Sequence, residues 1–250
     1  MGKEIGARST SEEVNELVFV SETRPNQSMS YSLGRDGFEI IPSVLTETEV
    51  VSLRAALSSL KVAPGHRNLM QRVPAIAELA MSSKIAAVLE SLPSAALVPV
   101  RSIFFDKTPE ANWLVPWHQD LSIAVKGRLD LPGYGPWSVK DGSPHVQPPI
   151  DILEAMVTVR VHLDDCDESN GPLRIIPGSH RLGRLTAADI AGIRASREEV
   201  TCSVRAGDVL LMRPLLLHAS SEACAPANRR VIHVEYSTCP LPEGLEWGVG

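Results

Sequence analysis

The sequence contains no apolar stretch long enough to cross a membrane. Its longest apolar runs, such as residues 208–217, are interrupted, in that case by Arg213 and Pro214, and all fall short of the roughly 20 residues that a membrane-spanning helix needs. The first residues lack the apolar core of a signal peptide, and Gly6 stands where a myristoylation motif requires Ser or Thr. These absences predict a cytoplasmic protein without a membrane partner.

Cysteine is scarce, and there is no basic stripe. The four cysteines contain no Cys-x-x-Cys pair, which argues against a structural zinc site and against a disulfide scaffold. The net charge is −6 and the pI is near 5.7, so the chain offers no surface suited to a phosphate backbone. Nucleic acid is therefore not an expected partner.

The chain changes character after its first 30 residues. Residues 1–30 are polar and poor in aromatics, which predicts a flexible N-terminal segment. Residues 31–250 are expected to form a single domain. Near its start, residues 38–42 indicate a strand, Thr46-Glu-Thr-Glu49 indicates the beginning of a helix, and residues 74–92 have the apolar spacing of a second helix.

Beyond Leu97 the apolar pattern favours strands. The candidates are residues 101–105, 155–163, 173–176, 209–217 and 231–236. Asn170-Gly171 lies between two of them and is typical of a two-residue hairpin turn. The prediction is a mainly β protein with flanking helices, folded as a jelly-roll or cupin-like barrel, a double-stranded β-helix.

A segment rich in proline and glycine interrupts this pattern at residues 126–149. It contains Tyr134, Trp137 and His145, and a long loop within a compact domain is usually functional or disordered. Because it follows a group of polar residues at 118–120, it is a candidate lid over an active site.

Those polar residues are the strongest chemical signal in the chain. In the strand-like phrase Trp117-His118-Gln119-Asp120, His118 and Asp120 are two apart and share one face. His218, at the end of the candidate strand 209–217, can complete a metal site if the barrel brings the strands together. Two histidines and one carboxylate leave adjacent positions of an Fe(II) ion open, as oxygenases require.

Further motifs stand in a fixed order around these residues. They are Asp106-Lys-Thr-Pro-Glu110, Trp117-His-Gln-Asp120, Leu163-Asp-Asp165, Asn170-Gly-Pro-Leu-Arg174, Ile176-Pro-Gly-Ser-His180, Gly207-Asp-Val-Leu210, and His218-Ala-Ser220 leading to Arg229. In this order the chain, from about Gly37 onward, resembles the phytanoyl-CoA dioxygenase superfamily of iron- and 2-oxoglutarate-dependent oxygenases.

The resemblance implies roles for individual residues. His118, Asp120 and His218 match the ligands of Fe(II), and Arg229 matches the residue that pairs with the distal carboxylate of the co-substrate 2-oxoglutarate, a task that suits a planar guanidinium. Ser220 is expected to hydrogen-bond the same carboxylate. The family positions that line the co-substrate pocket are occupied by Gln119, Ile103 and Arg160.

Arg160 departs from the family pattern, which often has tryptophan there. If its strand is regular, Thr158, Arg160 and His162 share one face. That face either lies in solvent or points into the barrel mouth, where Arg160 and Arg101 would receive an acidic group. Arg101 is therefore a candidate substrate residue, together with Tyr134, Trp137 and His145 from the candidate lid.

Several other polar residues are interpreted as structural. His180 is expected to support a turn, and His233 to be a hydrogen-bonded strand residue rather than a ligand. The acidic run 164–168 does not fit a calcium loop, because a loop starting at Asp165 would have Asn170 and Ile176 where glycine and glutamate are required.

Together these observations predict an Fe(II)- and 2-oxoglutarate-dependent dioxygenase that uses O2 to hydroxylate a small, acidic metabolite and releases succinate and CO2. Relatives that halogenate have a small residue in place of the carboxylate ligand, so Asp120 favours hydroxylation. Two alternatives remain open from the residues: a cupin-type metalloenzyme that hydrolyses or isomerises its substrate, and a ligand-binding barrel without turnover.

Overall fold

Short helices and antiparallel strands make up the computed structural model, which describes residues 1, 31–61, 63, 65–90, 92, 97–225 and 227–249. The predicted flexible segment, residues 1–30, lies outside the described residues apart from Met1. The helices are α1 Leu33–Asp36, α2 Glu47–Leu57, α3 Leu69–Arg72, α4 Pro74–Ala80, α5 Ser83–Leu89, α6 Ile150–Glu154 and α7 Ala187–Ser196, with a 3-10 turn at Ser179–Leu182. The strands are β1 Phe38–Ile41, β2 His66–Arg67, β3 Val98–Lys107, β4 Val115–His118, β5 Ile123–Ala124, β6 Trp137–Lys140, β7 Ser143–Val146, β8 Met156–His162, β9 Leu173–Ile175, β10 Val200–Cys202, β11 Val209–Met212, β12 His218–Ser220 and β13 Arg229–Ser237.

Two sheets form the barrel. The larger has the order β1-β11-β8-β13-β3-β2 and the smaller the order β10-β9-β12-β4. Phe38 and Leu210 of the larger sheet pack against Leu173 and Ile175 of the smaller one in a common apolar cluster. The strand order is that of a double-stranded β-helix, which confirms the predicted fold class.

Strand β8 shows how alternation divides the larger sheet into two faces. Val157, Val159 and Val161 belong to the apolar cluster that also contains the buried side of α2. The opposite face carries Thr158, Arg160 and His162, which are at most 6% exposed. The interpretation that this polar face lies in solvent is therefore wrong, and the polar side chains are enclosed by the barrel.

Helix α2 begins where the sequence indicates. Thr46 is its N-cap and forms a capping box, in which the Thr46 hydroxyl accepts from the Glu49 N–H and the Glu49 carboxylate accepts from the Thr46 N–H. The buried residues Val50, Leu53 and Leu57 then follow at helical spacing on the side that meets the sheet.

The helix predicted over residues 74–92 is interrupted. Helix α4 ends at Ala80, and Ser82 caps a new helix, α5, by accepting from the Ile85 N–H. The Ser82 hydroxyl satisfies one of the N–H groups that a helix start leaves unpaired, so two helices replace one without loss of the apolar spacing.

The strand predicted over residues 209–217 is also shorter than expected. It ends at Met212, because the chain turns at Arg213-Pro214, where the Arg213 N–H donates to the Gly37 carbonyl and proline has no N–H to continue a ladder. His218 therefore begins a separate strand, β12, in the smaller sheet.

The predicted hairpin at Asn170-Gly171 is wrong. Strands β8 and β9, which flank it, belong to different sheets, so this turn carries the chain from one sheet to the other. Gly171 has a φ of 71°, and a Cβ there would lie 2.5 Å from the Ser221 carbonyl oxygen. Close approach of the backbone, together with the left-handed conformation, explains the glycine.

The candidate lid, residues 126–149, contains regular structure. Strands β6 and β7 form a hairpin that pairs with β5 in a three-stranded sheet. Its turn is Asp141-Gly142, where both residues have positive φ, as a two-residue hairpin turn requires. A role of this hairpin as a lid stays a prediction.

Across the described ranges of the chain, no helix has the length and apolar character needed to cross a membrane.

We predict that Thr46→Ala lowers the free energy of unfolding by about 1 kcal/mol, because it removes the capping box of a helix that packs on the core. Urea denaturation measures the change. Thr186→Ala is the matched control: it removes the corresponding capping box, formed with Asp189, from α7, which has no buried residue. It should shift global unfolding by less than about 0.5 kcal/mol, since that helix can fray alone. Equal losses in the two variants would contradict the prediction.

Candidate metal centre

The pairing of β4 with β12 brings together two predicted metal ligands. His118, the last residue of β4, stands directly opposite His218, the first residue of β12. Their imidazole rings lie 4.2 Å apart between centroids. Residues far apart in sequence thus become neighbours because two short strands pair in register.

Asp120 joins the two histidines just beyond the end of β4. Its backbone N–H donates to the Pro214 carbonyl at 2.9 Å, which ties the residue to the turn that precedes β12. One carboxylate oxygen lies 3.7 Å from His118 Nε2, and the other lies 3.7 Å from His218 Nε2. Suitable donor atoms of all three residues lie within 4.8 Å of one another.

Both imidazoles are oriented by their other nitrogen. Nδ1 of His118 lies 2.8 Å from the Pro116 carbonyl oxygen, and Nδ1 of His218 lies 2.8 Å from the Leu216 carbonyl oxygen. Because a carbonyl only accepts, each Nδ1 carries the proton and donates it, which leaves the lone pair of Nε2 free toward Asp120. Metal-binding histidines are typically held in this way.

The charges of the site also suit a cation. Burial alone raises the pKa of the Asp120 carboxyl, but the adjacent His218 and His118 outweigh it, so that this pKa lies below its ordinary value. Burial lowers the pKa of His218 to about 4. At neutral pH the site therefore presents a carboxylate and a neutral imidazole, and the two-histidine, one-carboxylate set fits Fe(II) with positions left open for other ligands.

The three residues face a cavity of about 300 Å³, at the small end of the range for ligand-binding sites. The structure brings to this cavity six further residues that the sequence singled out: Arg101, Ile103, Gln119, Arg160, Ser220 and Arg229.

Arg229 and Ser220 lie together at one end of this cavity. Arg229 begins β13 and is 3% exposed, and its Nε has no hydrogen-bond partner among the described residues. Ser220 is also buried, and its hydroxyl accepts a hydrogen bond of 3.1 Å from Lys107 Nζ. This end of the cavity offers cationic and hydroxyl donors to an acidic ligand.

Lys107 is a residue that sequence reasoning missed. It is fully buried, and besides Ser220 it donates to the Ser221 carbonyl. Burial, followed by the positive charge of Arg229, lowers its pKa to about 8. The only indication in the sequence was its place in the motif Asp106-Lys-Thr-Pro-Glu110. No local pattern shows that a lysine at the end of β3 points inward.

Arg160 lies deep in the barrel, in contact with His233. An Arg160 guanidinium N–H donates to His233 Nδ1 at 3.1 Å, and His233 Nε2 lies 3.3 Å from a carboxylate oxygen of Glu235. Both nitrogens of His233 are thus engaged, as expected for a structural histidine.

Arg101 forms a buried ion pair with Glu235, the second residue that sequence reasoning missed. The distance between Arg101 NH1 and Glu235 Oε1 is 2.9 Å, and the two side chains are 10% and 3% exposed. Glu235 follows His233 by two positions on β13, so the alternation of that strand could have indicated that it faces the cavity.

Gln119 lines the cavity, but its amide is already hydrogen-bonded. Its nitrogen donates to the carbonyls of Gly183 and Leu215, and its oxygen accepts from the Leu185 N–H. These contacts hold the chain around the metal ligands in place.

The three candidate substrate residues of segment 126–149 do not line the cavity. Tyr134 and Trp137 pack against the apolar cluster that includes Ile123 and Val146, and His145 is buried in β7 without lining the cavity. The hairpin contributes Lys140 to the cavity wall instead.

The barrel and its His-Asp-His group together define a class, that of non-haem metal enzymes built on a double-stranded β-helix. A family model described as phytanoyl-CoA dioxygenase (PhyH) matches residues 33–231, and the chain therefore belongs to this family of 2-oxoglutarate-dependent non-haem iron oxygenases. A search of curated proteins finds no match.

Solved structures show the same fold. The carbocyclase SnoK from nogalamycin biosynthesis, described as non-haem and α-ketoglutarate dependent, is 22% identical with a TM-score of 0.62, over 82% of this chain and 81% of that one. HygX from Streptomyces hygroscopicus, solved with nickel and 2-oxoglutarate, is 22% identical with a TM-score of 0.61, over 82% and 84%. EctD from S. alaskensis is 21% identical with a TM-score of 0.62, over 82% and 74%.

We predict that His118→Ala and His218→Ala each weaken Fe(II) binding by at least about 100-fold, because each removes one of three metal-directed atoms. Anaerobic calorimetry with ferrous ion measures the affinity. His233→Asn is the matched control, since His233 lies in the same cavity but has both nitrogens engaged. A comparable loss of Fe(II) affinity in His233→Asn, or normal affinity in either alanine variant, would contradict the assignment.

Proposed function

We propose that the protein hydroxylates a C–H bond of a small, acidic metabolite, with Fe(II) held by His118, Asp120 and His218 and with 2-oxoglutarate as co-substrate. The observation that carries the proposal is the position of the three metal-directed groups in one cavity with Arg229 and Ser220. When bound, iron with 2-oxoglutarate and O2 supplies the oxidation, and succinate and CO2 are the by-products.

The protein's own residues would orient the co-substrate. The Nε–H of Arg229 is buried and has no hydrogen-bond partner among the described residues. A carboxylate bound there would supply both a counter-charge and a hydrogen-bond acceptor. Ser220 accepts from Lys107, so its own proton is free to be donated to the same carboxylate. Arg160 adds a second guanidinium at this depth, in place of the tryptophan often found in the family.

The other cations of the cavity favour an acidic substrate. Arg101 and Lys140 line the cavity together with Arg67 of β2. Positive side chains in a confined site attract and orient a carboxylate or phosphate. Asp120 is present as the third ligand, which favours hydroxylation over halogenation.

We predict that anaerobic addition of Fe(II) and then 2-oxoglutarate produces a weak visible charge-transfer band at about 500 nm, as chelation of iron by a keto acid at an open site allows. Absorption spectroscopy under argon detects it. His218→Ala is the matched control and should give no band, because it removes one of the two imidazoles that hold the iron. Absence of the band with intact, metal-loaded protein would rule out the proposed co-substrate.

Arg229→Ala separates the oxygenase from a cupin-type hydrolase or isomerase. Loss of a charge-assisted pair is worth about 2–3 kcal/mol, so the concentration of 2-oxoglutarate that half-saturates the band should rise by roughly 30- to 140-fold. Activity that persists unchanged in Arg229→Ala would favour the hydrolase or isomerase. A barrel that only binds ligands would release no succinate with any substrate tested.

A further inference from the structure

Three cationic side chains from different elements line the cavity together, and Arg101 stands six positions from Arg229 along the β3–β13 pair. Arg67 comes from β2, Arg101 from β3 and Lys140 from the β6–β7 hairpin, and all three line the cavity. They are close enough to affect one another: burial first, and then the charges of Arg101 and Arg67, lower the pKa of Lys140. Each arginine pairs with one carboxylate, so the group carries one positive charge more than its carboxylate partners, and this favours a bound anion.

Hydrogen bonds within the protein leave part of this group unused. Arg101 donates through NH1 to Glu235, and Arg67 donates through NH1 to Asp141 at 2.8 Å. The Nε atoms of both arginines are buried and have no partner among the described residues. Lys140 donates to the Ser122 hydroxyl at 3.0 Å, and an ammonium has two further protons to give.

The charge of the whole cavity points the same way. The formal charge of a ferrous ion is equal and opposite to that of the 2-oxoglutarate dianion, so the pair adds no net charge to the cavity. With the imidazoles neutral, five cationic residues line the cavity with two carboxylates, an excess of three positive charges. Just outside the lining, Asp141 pairs with Arg67 and Lys107 donates to Ser220, and because their charges are opposite the excess stays at three. The five are Arg67, Arg101, Lys140, Arg160 and Arg229, and the two are Asp120 and Glu235.

We propose that Arg67, Arg101 and Lys140 form a subsite for a phosphate monoester group of the substrate. A dianion offsets more of the excess charge than a monoanion, and three cations that line one cavity favour one compact doubly charged group over two separate carboxylates. Arginine forks and a lysine point charge are the usual partners of phosphate. The subsite rests on the proposed function in one respect: the part of the substrate that does not carry the phosphate would reach the metal.

Calorimetry with methyl phosphate tests the subsite. A phosphate monoester has its second pKa at about 6, so methyl phosphate is a dianion at pH 7.5, whereas dimethyl phosphate is a monoanion of similar shape. We expect methyl phosphate to bind at least tenfold more tightly than dimethyl phosphate. Arg67→Gln and Lys140→Gln should each weaken methyl phosphate binding at least tenfold, while Lys126→Gln, an exposed lysine outside the cavity, should not change it.

The charge-preserving variants Arg67→Lys and Lys140→Arg guard against a loss that is due only to misfolding, and they should bind methyl phosphate within a few-fold of the wild-type protein. Equal affinity for the two probes, or glutamine variants that bind like wild type, would overturn the proposal. Titrations are run with metal-free protein and with Fe(II) and 2-oxoglutarate bound. Binding of methyl phosphate without the charge-transfer band would support the subsite and contradict the proposed use of Fe(II) and 2-oxoglutarate. The band without binding of methyl phosphate would support that use and contradict the subsite.

Discussion

The antiparallel pairing of β4 with β12 is the contact on which the rest of the site depends. It sets His118 opposite His218, and the hydrogen bond from the Asp120 N–H to Pro214 brings the carboxylate between them. The residues that precede each histidine also matter, because the carbonyls of Pro116 and Leu216 determine which ring nitrogen faces the metal position. A slip of one residue in this pairing would turn the ligands to opposite faces.

The helices make this arrangement possible from a distance. Helices α2, α4 and α5 cover one face of the larger sheet with apolar contacts. The alternate residues of β8 and β13 face the inside of the barrel, where they can be polar. Arg160, His233 and Glu235 occupy those positions. Burial of so many ionisable groups is costly unless they are paired, and the ion pair of Arg101 with Glu235 meets part of that cost.

Local patterns were sufficient to predict the fold class, the cap of α2, and a shared role for His118 and Asp120, since each depends on residues close in sequence. The roles of Arg229 and Ser220 came from resemblance, because no local signal identifies a residue that acts across a barrel. Lys107 and Lys140 were missed for the same reason, because their partners are distant in the chain, whereas the alternation of β13 could have indicated Glu235. The hairpin prediction failed because Asn170-Gly171 and Asp141-Gly142 are both acceptable turns, and only strand pairing shows which of them reverses a ribbon.

One feature of the barrel wall links the two ends of the cavity. Arg101 contacts Glu235, Glu235 contacts His233, and His233 contacts Arg160, so a chain of four buried side chains links an arginine proposed to bind substrate with one proposed to face 2-oxoglutarate. If an anion bound at Arg101 weakened its ion pair with Glu235, the proposed substrate site would be coupled through these contacts to the proposed co-substrate site. Substrate and 2-oxoglutarate would then be thermodynamically linked, each altering the affinity of the other by the same factor.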